Sequence, residues 1–185
     1  MAHSRSNPVT TPLTDDFETR GVEVDHQDLR LWLRMMALHK LIVNELRRRL
    51  RASFGMSLAR FDLMSQLDTT KTGKRMGELS DRLMVTTGNI TGLVDELEAD
   101  ELVERMADPS SRRASLVRLT SKGRRQFNAA AKEHAAWVTE FFSVLSQRDK
   151  KLLFDVIGTQ KAFVLSSIQN AANLAEKSPA RAKRT

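Results

Sequence analysis

Residues 86–105, TTGNITGLVDELEADELVER, read as a helix that runs into a strand. Ile90, Leu93, Val94 and Leu97 repeat at helical spacing, and Thr86 has the side chain of a good N-cap. Two glycines, Gly88 and Gly92, fall inside the first turns, where each costs about 1 kcal/mol relative to alanine. Helix stability therefore does not explain them. Whatever lies against the start of this helix must.

Just upstream, a short helix is expected from about Gly77 to Leu83, followed by a turn of a few residues. Two helices joined so closely match the helix-turn-helix pattern. Downstream, LVERM (102–106) and ASLVRLT (114–120) have strand character, and ADPSSRR (107–113) supplies turn chemistry through Asp108 and Pro109. A hairpin in this place is a β-wing, so residues 57–120 read as a winged helix-turn-helix.

Long helices flank it. Between Asp28 and Arg51 the residues Leu29, Trp32, Met35, Met36, His39, Ile42, Val43, Leu46 and Leu50 form a broad apolar stripe. At about 1.5 Å per residue this helix spans roughly 36 Å. Gly55 and Ser57 suit its C-cap and the next N-cap, and a second helix runs from Leu58 to about Leu67. DTTKTGKR (68–75) reads as a polar loop. Two more helices close the chain, one from about Ser121 to Leu145 and one from the capping box of Ser146 and Asp149 to about Ala175.

The expected fold is mainly α with a small β-wing: a winged helix-turn-helix plus a helical lobe built from 27–56 and 121–176. Those outer helices carry more apolar surface than the small central lobe can cover. A second copy related by two-fold symmetry is the simplest cover, so the lobe is expected to form a homodimer. Residues 1–26 read as a mobile arm. Residues 177–185 read as a basic tail, with Lys177, Arg181, Lys183 and Arg184 either touching phosphates or only solubilising the end.

The 185 residues carry a net charge of +7, which points toward a polyanionic partner. The excess is regional. Acids nearly balance bases between Lys74 and Arg125, and the surplus lies in the tail and in Arg47, Arg48, Arg49 and Arg51. That arginine run reads either as a solvated helix C-terminus or as a phosphate contact. There is no cysteine, which excludes disulfides, thiolate metal sites and a cysteine redox sensor. No apolar run reaches membrane-spanning length and no signal peptide is visible, so a cytoplasmic location is expected. The four histidines form no ligand pair, and no nucleophile–base pair, phosphate loop or carboxylate dyad is recognisable. The expectation is a non-enzymatic protein without metal or cofactor.

MGELSDRLMV (76–85), TGLVDELEADELVER (91–105) and DPSSRRASLVRLTSKG (108–123), in this order, resemble the MarR family of bacterial transcription regulators. The resemblance covers about Ser57 to Phe127. It implies a homodimer on double-stranded DNA at a pseudo-palindromic operator, with recognition helices in successive major grooves and wings reaching the minor groove. It also implies that a small anionic or aromatic ligand weakens DNA binding.

The residues themselves agree with that reading. Small residues at the start of a recognition helix let its backbone approach the duplex, and asparagine can pair with both N6 and N7 of adenine. Thr86, Thr87, Gly88, Asn89, Thr91 and Gly92 are therefore the candidate groove contacts. Arg112 and Arg113 are the candidates at the wing tip, Arg113 matching the family's minor-groove arginine. Three positions depart from the family pattern. Ser111 stands where many members carry an aspartate that orients the arginine, Gly92 where many carry arginine, and Glu101 where glycine commonly ends the helix. Asp100 is then expected to take the left-handed conformation instead.

Family pockets lie where the first two helices meet the fifth. Trp32, Met36 and His39, with Arg60 and Phe61, are the candidate contacts for an aromatic carboxylate or its coenzyme A thioester. Ordinary dimer-core packing accounts for the same spacing. An architectural or partner-binding helical protein, using its winged helix for protein contacts, remains the alternative function.

Overall fold

The structure, a computed structural model, describes residues 27–176. The expected arm (1–26) and basic tail (177–185) lie outside the described residues. The chain divides into two compact units, with the boundary after His134.

In the first unit, α1 (Gln27–Phe54) extends past Arg51 and ends at Gly55, whose φ of +59° is the left-handed C-cap that a helix end favours. Ser57 caps α2 (Leu58–Asp68), its Oγ accepting from the Arg60 N–H at 3.2 Å. Next come β1 (Lys74–Arg75), α3 (Met76–Leu83), α4 (Thr87–Ala99), β2 (Val103–Asp108), β3 (Ser111–Leu119) and α5 (Ser121–Phe141). The strands form one antiparallel sheet in the order β1-β3-β2.

Two expectations change here. The loop over 68–75 ends in a strand, since Lys74 and Arg75 pair with Val117 and Leu116. The hairpin is also tighter than read, because Asp108 already pairs with Ser111 and only Pro109 and Ser110 turn. Proline fixes φ at the first turn position, and the Asp108 carboxylate accepts the Ser110 N–H at 2.8 Å, which closes the turn within two residues.

Leu50, Leu63, Met64, Leu67, Leu79, Ile90, Val94, Leu97 and Val117 are fully buried, so α2, α3, α4 and the sheet share one core with the C-terminal end of α1. Phe127 and Ala130 add α5 to it. α5 enters very closely, because a Cβ on Gly123 would lie 1.9 Å from the Leu102 carbonyl oxygen. Thr120 fastens this junction, its hydroxyl donating to the Glu101 carbonyl at 2.7 Å and accepting from the Gly123 N–H at 2.9 Å.

Of the stripe expected on α1, only Leu46 and Leu50 are buried; Met36, Ile42 and Val43 are half-buried, and Leu29, Trp32, Met35 and His39 stay exposed, as do Leu38 and Leu41 outside the stripe. The core of the winged helix reaches only the last turns of so long a helix.

The second unit holds the end of α5, which stops at Phe141 short of the expected Leu145, and α6 (Gln147–Glu176). Of the expected capping box, the N-cap half forms, the Asp149 N–H donating to Ser146 Oγ at 3.2 Å, while the Asp149 carboxylate accepts from the Ser146 hydroxyl at 2.7 Å. Apolar side chains along α6, among them Phe154, Ile157, Phe163 and Ile168, are exposed. Among the described residues no helix is long and apolar enough to cross a membrane.

Candidate nucleic-acid interface

The turn between α3 and α4 is held by Met84 in the left-handed region (φ 53°), with the Val85 N–H donating to the Ser80 carbonyl at 3.1 Å. It delivers Thr86 in extended conformation as the N-cap of α4, where its Oγ1 accepts from the Asn89 N–H at 3.4 Å. Ile90, Val94 and Leu97 bury the inner face of α4. Thr86, Thr87, Gly88, Asn89, Thr91 and Gly92 are all exposed on its outer face and first turns. The Thr91 hydroxyl donates back to the Thr87 carbonyl at 3.0 Å.

Among the described residues, nothing packs against the open side of the two glycines. A Cβ on either Gly88 or Gly92 would meet nothing within 4 Å. Their cost to the helix is therefore not offset by internal packing.

The C-terminal end of α4 corrects the expected cap. Glu101 itself is left-handed, with φ of 61°, while Asp100 remains at φ −83° and ψ 2°. The Leu102 N–H donates to the Leu97 carbonyl at 2.8 Å, closing the helix in the manner usually left to glycine. Leu102 has to turn inward into the core, so the reversal falls on the residue just before it. Lys122 Nζ supports the reversal, donating to the Glu101 carboxylate at 3.0 Å and the Asp100 carbonyl at 2.9 Å.

The acids crowded at this helix end are largely paired. Arg60 holds Asp100, Arg105 holds both Asp95 and Glu98, and Arg118 donates to Glu104 at 2.7 Å. Their negative field is consumed locally, away from the helix N-terminus.

Arg112 and Arg113 lie in β3, just beyond the turn, and not in an extended tip loop. The turn itself is built by Asp108, whose side chain is 5% exposed. Hydrogen bonds from the Ser110 hydroxyl and N–H, and then from Arg75, hold the Asp108 carboxyl down at about 2. In sequence Arg75 falls at the end of the polar stretch 68–75. Its partner lies 33 residues away, and no local signal marks the pairing.

The candidate ligand residues separate. Arg60 lines a cleft of about 450 Å³ together with Phe54, Met56, Asp100, Leu102 and Lys122. Its Nε is buried without a hydrogen-bond partner. Phe61 is instead in the core, stacked on His134 at 4.6 Å between ring centres and tilted against Phe127 at 5.4 Å. Burial against these neighbours lowers the His134 pKa. On α1, Trp32 and His39 are exposed and Met36 is half-buried, and none of the three lines that cleft.

A buried-faced helix presented by a short turn, with a three-stranded wing beside it, defines a winged helix-turn-helix protein. The MarR family model matches residues 56–115. A MarR family transcriptional regulator from Silicibacter pomeroyi is 33% identical, with a TM-score of 0.62, 78% of this chain and 99% of that one being covered. The chain belongs to the MarR family. It is 32% identical over 87 residues to the HTH-type transcriptional regulator MhqR of Bacillus subtilis (strain 168), a match spanning 47% of this chain and 60% of that protein. Its fold also matches Sco3205, a MarR family regulator from Streptomyces coelicolor solved in complex with DNA, at 22% identity and a TM-score of 0.68, covering 77% and 91% of the two chains.

Proposed function

We propose that this protein is a cytoplasmic homodimeric transcription regulator that binds a pseudo-palindromic DNA operator and acts as a repressor. In this reading α4 enters the major groove. Asn89 reads an adenine, Thr86, Thr87 and Thr91 contact phosphates or base edges, and Gly88 and Gly92 give the duplex close access. Arg112 and Arg113 approach the minor groove from β3. Residues 57–120 are the DNA-binding domain, and 27–56 with 121–176 form the dimerisation lobe.

The observation that carries the reading is the outer face of α4: six small or hydrogen-bonding residues, all exposed, with two glycines opening onto free space. The solved relative Sco3205 was crystallised with DNA, which supports the same use of the fold. An aromatic acid or its coenzyme A thioester is the proposed releasing ligand, with Arg60 at its cleft as the carboxylate partner and Trp32, Met36 and His39 as candidates on α1 outside that cleft, Phe61 being withdrawn into the core.

Selection of bound duplexes from genomic fragments, followed by footprinting, tests this. The expected result is one enriched motif with two half-sites about one helical turn apart. Recovery of fragments without a shared motif would reject sequence-specific regulation and favour an architectural role.

A further inference from the structure

Two side chains of the wing turn and one from the strand before the helix-turn-helix close into one ring. Arg75 is the last residue of β1 and the N-cap residue of α3. It donates through Nε to Asp108 Oδ2 at 2.6 Å and through Nη2 to Ser110 Oγ at 2.7 Å. The Ser110 hydroxyl donates in turn to Asp108 Oδ1 at 2.7 Å, and the Ser110 N–H reaches the same oxygen at 2.8 Å.

This is more than a two-residue turn requires. The bond from the Ser110 N–H to the aspartate is enough to form an Asx turn. The additional member comes from outside the hairpin, on the strand that leads directly into the helix-turn-helix. Pro109 and Ser110 are exposed, yet the carboxylate between them and Arg75 is almost wholly covered. The register of β2 against β3 also shifts between Ala107 and Asp108, an irregularity of the kind that re-aims a strand end.

We propose that Arg75 is a positioning residue for DNA recognition: through Asp108 and Ser110 it fixes the wing turn, and the β3 backbone carrying Arg112 and Arg113, relative to the start of α3. The helix-turn-helix and the wing then meet the duplex as one rigid reader, and the spacing between major-groove and minor-groove contacts is set before binding. The inference rests on the DNA-binding reading above. A guanidinium is required because two of its N–H groups reach two acceptors at once in a fixed fork, which a lysine ammonium cannot reproduce.

The test uses the full chain, the operator motif selected by the wild type, and duplex probes whose base pairs flanking each half-site are either A·T or G·C. Wild type is expected to prefer A·T flanks. Arg75→Lys and Ser110→Ala should each reduce that preference by roughly tenfold, the scale of one lost charge-assisted hydrogen bond, with discrimination inside the half-sites unchanged. In the DNA-free variants the Ser110 amide should exchange faster than in wild type.

Full flank preference in Arg75→Lys would mean that charge alone suffices, and would overturn the proposal. Unaltered flank preference in Ser110→Ala, or unaltered Ser110 exchange in both variants, would overturn it as well. A wild type that selects no motif at all would instead refute the DNA-binding reading on which the proposal rests.

Discussion

Glu101 holds the left-handed conformation that ends α4 while its carboxylate lies 3.0 Å from the Lys122 ammonium at the start of α5. A non-glycine residue in this region costs about 1–2 kcal/mol, and an exposed ion pair returns only about 0–1 kcal/mol. Glu101→Gly should therefore raise stability by about 0.5–1 kcal/mol. Glu101→Ala keeps the strain and loses the pair, so it should fall below wild type. Urea unfolding midpoints of the three proteins give the order, and a glycine variant less stable than the alanine variant would remove strain as the explanation.

Gly92 poses the opposite trade. Arginine is a better helix former than glycine by about 1 kcal/mol, and among the described residues a Cβ at this position would meet nothing within 4 Å beyond its own helix turn. Gly92→Arg should melt at a higher temperature than wild type. If close approach of the duplex is what requires glycine, the same variant should bind its operator more weakly or with changed preference. Higher stability together with higher affinity and unchanged preference would leave Gly92 without a role in the groove.

The contrast between these two positions shows what could be read from sequence. The face of α4 was legible because Ile90, Leu93, Val94 and Leu97 repeat at helical spacing; three of them are buried and Leu93, at the edge of the face, is half-buried. The end of α4 was not. Aspartate tolerates the left-handed region better than glutamate, so local preference favours Asp100, but the burial of Leu102 moves the reversal one residue on. β1 was hidden for a related reason: two polar residues, Lys74 and Arg75, carry no periodicity, and only pairing with Leu116 and Val117 makes them a strand. Phe61, expected at a ligand, is instead claimed by Phe127 and His134 from α5, a contact that helical spacing within α2 cannot reveal.

Acid should loosen the wing turn as the Asp108 carboxylate is protonated. The Asp108 carboxyl titrates at about 2 in the folded chain against 3.8 when unperturbed, because Ser110 and Arg75 donate to its charged form. A depressed carboxyl contributes stability that is fully present above the unfolded value and is lost as pH falls through the folded one. The window is therefore pH 4 down to about 2. Glu45, lowered to about 2 by Arg48 and Arg49, titrates over the same range, so global unfolding does not separate the two. The Ser110 amide shift does. It should move with an apparent pKa near 2 in wild type and stay flat over this window in Asp108→Asn. Movement centred near 4 would show that the pairing with Arg75 does not hold in solution.

The last prediction concerns the outer helices. Trp32 is 56% exposed on α1, and Phe154 and Phe163 on α6 are 79% and 65% exposed, so among the described residues these apolar side chains are left largely uncovered. A second copy packed on them about a two-fold axis should bury more than roughly 2,000 Å², as obligate dimers do. Light scattering should then give about twice the chain mass, and the dimer should persist on dilution to nanomolar concentration. The symmetry would also set the two recognition helices about 34–36 Å apart, matching one turn of DNA. Deleting residues 152–185 removes most of α6 while sparing every residue of the winged helix core, Leu63, Leu79, Ile90 and Val117 among them. That truncation should abolish tight operator binding, because a lone reading head loses the second half-site, and gel retardation on full and half operators measures the loss. A full-length monomer that binds one complete operator tightly would refute both the dimer and the operator geometry derived from it.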